Sequence, residues 1–289
     1  MRRAAGSRQA PPRASPDAGV DSGAHAAYST CMRHLAPRRA VTVVALLAVV
    51  LIAGCATLSL VETIDSLLKQ AKELLDAKKY DEALTKLAEV IKRDATQWKA
   101  YLYSALAYIG KGDWGNALAS ARDGLTRAPD GAARTEVAKA LLDGGRQALS
   151  RSDYNGATSL LSEYVRQQPG DWTAYLDAAR AYLGKADWGP ALAVARDGLS
   201  RAPDGAARGE IAKALLDGGR QALGRGEYQG AASLLGEYVR QDPRNVSALL
   251  DLGKSYWNGG DRTQALDTFR KVLELAPTNA EARRFLFGN

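Results

Sequence analysis

The chain runs to 289 residues, 46% of them hydrophobic and 25% charged, the balance of a globular chain with room for one or two domains. Its net charge of +7 belongs to one end: seven Arg and two acids precede Cys55, leaving 32 basic against 30 acidic residues from there on, which excludes the basic footprint of a nucleic-acid-binding surface. Both histidines (His25, His34) and Cys31 also lie before residue 40, so nothing beyond Cys55 can supply an internal disulfide, a thiol nucleophile, a Cys/His metal site or an imidazole base.

Residues 1–31 are rich in Ala, Pro, Ser, Gly and Arg without apolar periodicity. They are expected to be disordered, or to precede the true translational start, since Met32 would open a leader of ordinary length. In 32–54, Arg33, Arg38 and Arg39 lead into an apolar run from Ala40 to Ala53. That run is shorter than the roughly 20 residues needed to cross a bilayer as a helix, so the segment reads as a secretory signal peptide. It closes on Leu51-Ile52-Ala53-Gly54-Cys55, which resembles the bacterial lipobox. The resemblance implies that Cys55 becomes the first mature residue and carries lipid. Each buried CH₂ is worth about 0.8 kcal/mol, so several acyl chains would hold the protein on the membrane for good. Ala56 stands where inner-membrane lipoproteins carry Asp, which implies the periplasmic face of the outer membrane. Residues 55–63 are left as a linker.

From Ile64 onward, apolar residues recur at i, i+3, i+4 and i+7 through paired stretches of about 14 residues, each an amphipathic helix. Gly112-Asp113, Gly226-Glu227 and Gly260-Asp261 offer a glycine to stop the first helix of a pair and, in two cases, an Asp to cap the second. Pro129, Pro169, Pro203, Pro243 and Pro277 follow the second helices and cannot continue them. The first pair lacks both signals, with Lys78-Lys79 and Ala95 in their places.

The last pair, 246–279, carries Leu249, Leu252, Gly253, Tyr256, Ala265, Phe269 and Pro277. It resembles the 34-residue tetratricopeptide repeat, departing only by Leu249 for the first-place Trp. A small residue recurs at one phase in all copies: Ala83, Ala117, Ala157, Ala191, Ala231 and Ala265. The resemblance implies an all-α fold over 64–289, a right-handed α-solenoid of about six units (near 64–97, 98–131, 138–171, 172–205, 212–245 and 246–279) ending in a short C-terminal helix.

Two of the intervals between starting points are 40 residues rather than 34, from 98 to 138 and from 172 to 212. The extra residues fall in DGAARTEVAKALLDGG and DGAARGEIAKALLDGG, of helix-forming composition. The first helices of units three and five are therefore expected to begin about a turn and a half early and to protrude on one rim. A second period of 74 overlies the first: residues 117–147 match 191–221 at 27 of 31 positions, so one surface should present the same chemistry twice.

In the repeat family the concave groove is lined by the first helices, chiefly at their second, fifth, ninth and twelfth places. Carried onto this chain, those places supply Lys99, Lys139 and Lys213; Leu102, Leu142, Leu176, Leu216 and Leu250; Arg146, Arg180, Arg220 and Lys254; and Trp257. A leucine floor beside a basic row suits a protein segment that alternates apolar and acidic residues. No metal or cofactor is implied. The competing reading makes the leucines core and pairs each cation with an acid one turn back, as Asp143/Arg146, Asp177/Arg180, Asp217/Arg220 and Asp251/Lys254 permit, at about 0.2–0.5 kcal/mol each. Tyr80, Trp114, Tyr154, Trp188 and Tyr228 share one place at the start of the second helices and are assigned to the core.

These readings point to a membrane-anchored, non-enzymatic scaffold in the bacterial envelope, of the kind that serves assembly of a pilus, a secretion machine or the outer membrane. A self-associating structural lipoprotein is the alternative; Phe285-Leu286-Phe287 on the final short helix either caps the stack or makes such a self-contact. A carboxylate-based hydrolase ranks last, because the acids sit at repeat-defined exposed places and caps.

Overall fold

The computed structural model describes residues 62–288; the expectations placed on the disordered stretch, the signal peptide and Cys55 lie outside them. Residues 63–288 fall within one packed unit. Among the described residues there are thirteen helices and no strand: α1 (Ile64–Asp76), α2 (Tyr80–Arg93), α3 (Trp98–Lys111), α4 (Trp114–Arg127), α5 (Gly131–Ser150), α6 (Tyr154–Gln167), α7 (Trp172–Gly184), α8 (Trp188–Arg201), α9 (Gly205–Gly224), α10 (Tyr228–Gln241), α11 (Val246–Asn258), α12 (Arg262–Leu275) and α13 (Ala280–Phe287). The first twelve form six hairpins, odd helix then even helix, and α13 closes the stack. Each helix packs on the next, each odd helix through α9 also packs on the following odd helix, and α4 packs on α6 and α8 on α10. The result is an all-α solenoid. The recurring alanines, Ala83 through Ala265, are fully buried, because only a methyl group fits where the two helices of a hairpin meet.

α5 and α9 are 20 residues long where the other repeat helices have 13 or 14. They begin at Gly131 and Gly205, nearly two turns ahead of the starting points at 138 and 212 rather than a turn and a half. The reason is local. Asp130 and Asp204 directly follow the prolines that end the preceding helices, and their carboxylates accept from the Ala133 and Ala207 amides at 2.8 and 2.9 Å. The helix therefore starts at the first capping residue available.

All six hairpins turn through one left-handed residue, in order Lys78, Gly112, Ser152, Ala186, Gly226 and Gly260. Glycine marks only three of these. Lys78, Ser152 and Ala186 hold φ of 57–60° at a steric cost of roughly 1–2 kcal/mol. They are held there because the next amide closes back on the helix, as Lys79 N–H does to the Leu74 carbonyl, Asp153 N–H to Ala148 and Asp187 N–H to Tyr182. The acid after the turn then caps the even helix: Asp113, Asp153 and Asp261 accept from the amides of Asn116, Gly156 and Gln264. Asp187 makes no such bond, since the residue three places on is Pro190, which has no N–H.

Candidate functional site: the odd-helix face and its two kinds of junction

Adjacent hairpins meet at either a 34-residue or a 40-residue interval, and the two kinds of junction are fastened on opposite sides. At the 34-residue junctions from unit three to four and from five to six, the tie runs between odd helices. Arg146 on α5 donates to Asp177 of α7 at 2.7 Å and to the Thr173 hydroxyl at 3.2 Å. Two units on, Arg220 donates to Asp251 at 2.8 Å and to the Ser247 hydroxyl at 2.8 Å. The hydrogen bond that Arg146 donates to Asp177 holds its guanidinium still more firmly protonated than an ordinary arginine. At the first 34-residue junction Lys72 and Tyr103 occupy the corresponding places.

The 40-residue junctions are tied between even helices instead. Trp114 on α4 donates its indole N–H to Asp153 at 2.6 Å, and Trp188 on α8 does the same to Glu227 at 2.5 Å. Beside them, Arg122 and Arg166 converge on Glu163, both at 2.6 Å, and Arg196 and Arg240 converge on Glu237. Glu163 and Glu237 are almost fully buried. Burial alone would raise their pKa, but hydrogen bonds from Arg122 and Gln167 to the first, and from Arg196 and Arg240 to the second, outweigh it and hold both below the usual glutamate value.

With the even helices tied, the odd helices of a 40-residue junction leave a pocket between them. The one between α7 and α9 has a volume of about 850 Å³. Arg180, Lys213 and Arg225 bring three cations to it, Glu210 and Asp217 two carboxylates. Arg180 leans on Asp177 at 3.6 Å, a contact already shared with Arg146.

The sequence-derived site residues divide accordingly. Leu102, Leu142 and Leu176 are 2%, 9% and 3% exposed, so the leucine floor is a correction: at these fifth places the side chain turns into the interface between helices and offers a partner almost nothing. Leu216 and Leu250 are only half-buried. Of the four one-turn ion pairs, Asp177/Arg180 forms; Arg146 and Arg220 reach instead to the next unit, and Lys254 to Glu281 at 2.6 Å. These cross-unit partners escaped the sequence reading, although a pattern was there to find: Asp lies 31 residues after each of these arginines, with Thr or Ser 27 after. Trp257 is sandwiched, its ring covered by the Arg262 guanidinium at 3.8 Å and met edge-on by Phe285 at 5.1 Å. Lys99, Lys139 and Lys213 are exposed and, among the described residues, form no ion pair; Lys99 lies 5.7 Å from the Trp98 ring.

Trp114 and Trp188 are buried, as their core assignment required, and Tyr80, Tyr154 and Tyr228 half-buried. Four of these rings lie against a glycine of the next unit: Tyr80 on Gly110, Trp114 on Gly156, Tyr154 on Gly184 and Trp188 on Gly230, where an added Cβ would fall 2.3–2.4 Å from the ring.

Stacked two-helix units with an alanine at each crossing and a left-handed turn in each hairpin define a helical-repeat scaffold. Residues 68–133 and 216–280 match the model of the tetratricopeptide repeat, and the described residues form an all-α solenoid of such units. No curated protein matches it. Among solved structures it is similar to YrrB, described as a TPR protein with an unusual peptide-binding site (14% identity, TM-score 0.35, 79% of this chain and 94% of that one). It is also similar to MamA from Desulfovibrio magneticus RS-1 (18%, TM-score 0.35, 75% and 97%). A further likeness is to a structure of Naa15/Naa10 bound to HypK-THB (16%, TM-score 0.46), where the match covers 78% of this chain and 34% of that one.

Proposed function

We propose that this protein is a scaffold tethered to the bacterial envelope by lipid on Cys55, holding a protein partner along its odd-helix face, in the assembly of an envelope machine. The fold supports the coarse part of this: tetratricopeptide repeats are protein-interaction scaffolds. The observation that carries the finer part is the pocket between α7 and α9, where Arg180 and Lys213 stand exposed on the face that the family uses for binding. An acidic segment would be steered toward such a surface and held by apolar contacts at its walls. The anchor rests on the Leu51 to Cys55 sequence and its position after an apolar run.

Crosslinking in intact cells, followed by recovery of the anchored protein, tests the scaffold. A distinct partner should be captured, and Arg180→Glu with Lys213→Glu should reduce its capture while helicity stays unchanged. Unchanged capture would remove the odd-helix face from the argument. Cys55→Ser should release the protein from the membrane fraction, and firm attachment of that variant would overturn the anchor.

Self-association is favoured by one observation, the exposed Phe287 (67%) and Leu275 (43%) near the end of the stack. The same crosslinking would then recover only the protein itself.

A further inference from the structure

We infer that the odd-helix face carries two pockets built to one plan, 74 residues apart, and that together they take one extended segment of a protein partner, an aliphatic side chain in the first and an acidic one in the second. This rests on the odd-helix face being the binding face. The first pocket, about 340 Å³, is lined from α1, α3 and α5, across the first 34-residue junction and the other 40-residue junction. Its walls repeat those of the α7–α9 pocket. The Tyr80 ring lies against Gly110 as that of Tyr154 does against Gly184, each 2.3 Å from where a Cβ would stand. Asp143 and Gln147 form the far wall of the first pocket, Asp217 and Gln221 that of the second.

Between these matched walls one place changes character. Leu106 lines the first pocket where Arg180 lines the second. Lys139, Glu136 and Arg151 stand at the first 40-residue junction at the places of Lys213, Glu210 and Arg225, so the cation that distinguishes the second pocket is Arg180, while Lys72, Asp76 and Asp143 line the first. A carboxylate is therefore drawn more strongly to the second pocket than to the first, while an aliphatic side chain gains an added apolar wall where Leu106 replaces the guanidinium. Packed helices stand about 8–10 Å apart, so two steps along the odd helices separate the pockets by about 20 Å. An extended chain rises about 3.3 Å per residue, which places the two anchors about six residues apart.

The test uses the full chain in detergent micelles and fluorescent synthetic peptides of Gly and Ser carrying one Leu and one Glu, in both orders, at graded separations around six residues. Peptides with two Leu or two Glu serve as competitors. Binding should peak near the six-residue separation in one order, with the mixed peptide preferred about fivefold over the uniform ones, the scale of a partly exposed charge contact. Arg180→Leu should move the preference to the peptide with two Leu, and Leu106→Arg should move it to the peptide with two Glu. Leu106 is partly buried, so its replacement can unsettle the fold; Arg180 is exposed, and circular dichroism of Arg180→Leu keeps the test independent of folding. Failure of every peptide to bind, or a preference that Arg180→Leu does not move, overturns the paired pockets. Cellular capture that still depends on Arg180 and Lys213 would then leave the binding face standing without them.

Discussion

The 34-residue and 40-residue junctions solve one problem in opposite ways. At two junctions of 34 residues, Arg146 and Arg220 tie odd helix to odd helix; where units follow at 40, Trp114 and Trp188 tie even helix to even helix and a pocket opens on the odd-helix side. In a solenoid each unit touches only its neighbours, so stability is a sum over interfaces. The alternation teaches that, at the 40-residue junctions, the side-chain ties and the pockets lie on opposite faces.

Breaking the even-helix tie should have the largest effect. Trp114→Ala or Trp188→Ala removes a buried indole and its hydrogen bond to an acid, and should cost about 3–5 kcal/mol, visible as loss of hydrogen-exchange protection around that junction. If protection fell evenly along the whole chain, the units would not be acting as separate interfaces.

The buried glutamates come next. Glu163→Gln or Glu237→Gln exchanges charged hydrogen bonds for neutral ones and should cost about 1–2 kcal/mol in denaturant melts. Their pH dependence follows in sign. A carboxylate held below its ordinary pKa stabilises the fold fully above that ordinary value, and the contribution drains away as pH falls through the lowered one. The 40-residue junctions should accordingly loosen below the usual glutamate range, and the two Gln variants should blunt that acid sensitivity. A double variant as acid-labile as the parent would assign the effect elsewhere.

A smaller effect, of opposite sign, sits in the turns. Ser152→Gly and Ala186→Gly relieve a left-handed conformation that Gly226 and Gly260 already adopt freely, and each should raise stability by about 1 kcal/mol. Smallest are the arginines of the odd-helix face. Arg146→Ala should cost under about 1 kcal/mol, since its ion pair is partly exposed, and Arg180→Ala should leave the melting midpoint in place while weakening partner capture. A substantial loss of stability in Arg180→Ala would make that residue a fastener and close the distinction between the two junctions.

Much of this arrangement was legible. The alternation of amphipathic stretches, the alanine phase, the prolines and the six extra residues in units three and five all act within a helix or between its ends, where the chain's own periodicity carries the information. The candidate site was legible only in part. Arg180 and Lys213 stand exposed as read, but Leu102, Leu142 and Leu176 are core, and Trp257 is covered by Arg262 and Phe285. Place in a repeat says which face a side chain starts from; it does not say what the neighbouring unit puts opposite it.

Taken alone, the residues determined the hairpin, its length and its turn, because hydrogen bonding, capping and hydrophobic period are properties of contiguous chain. Stacking decided the rest: which acid an arginine meets 31 residues away, and which ring lies on which glycine. Those outcomes depend on how far one unit shifts against the next, a quantity set by the summed packing of whole helices and written in no single stretch of sequence.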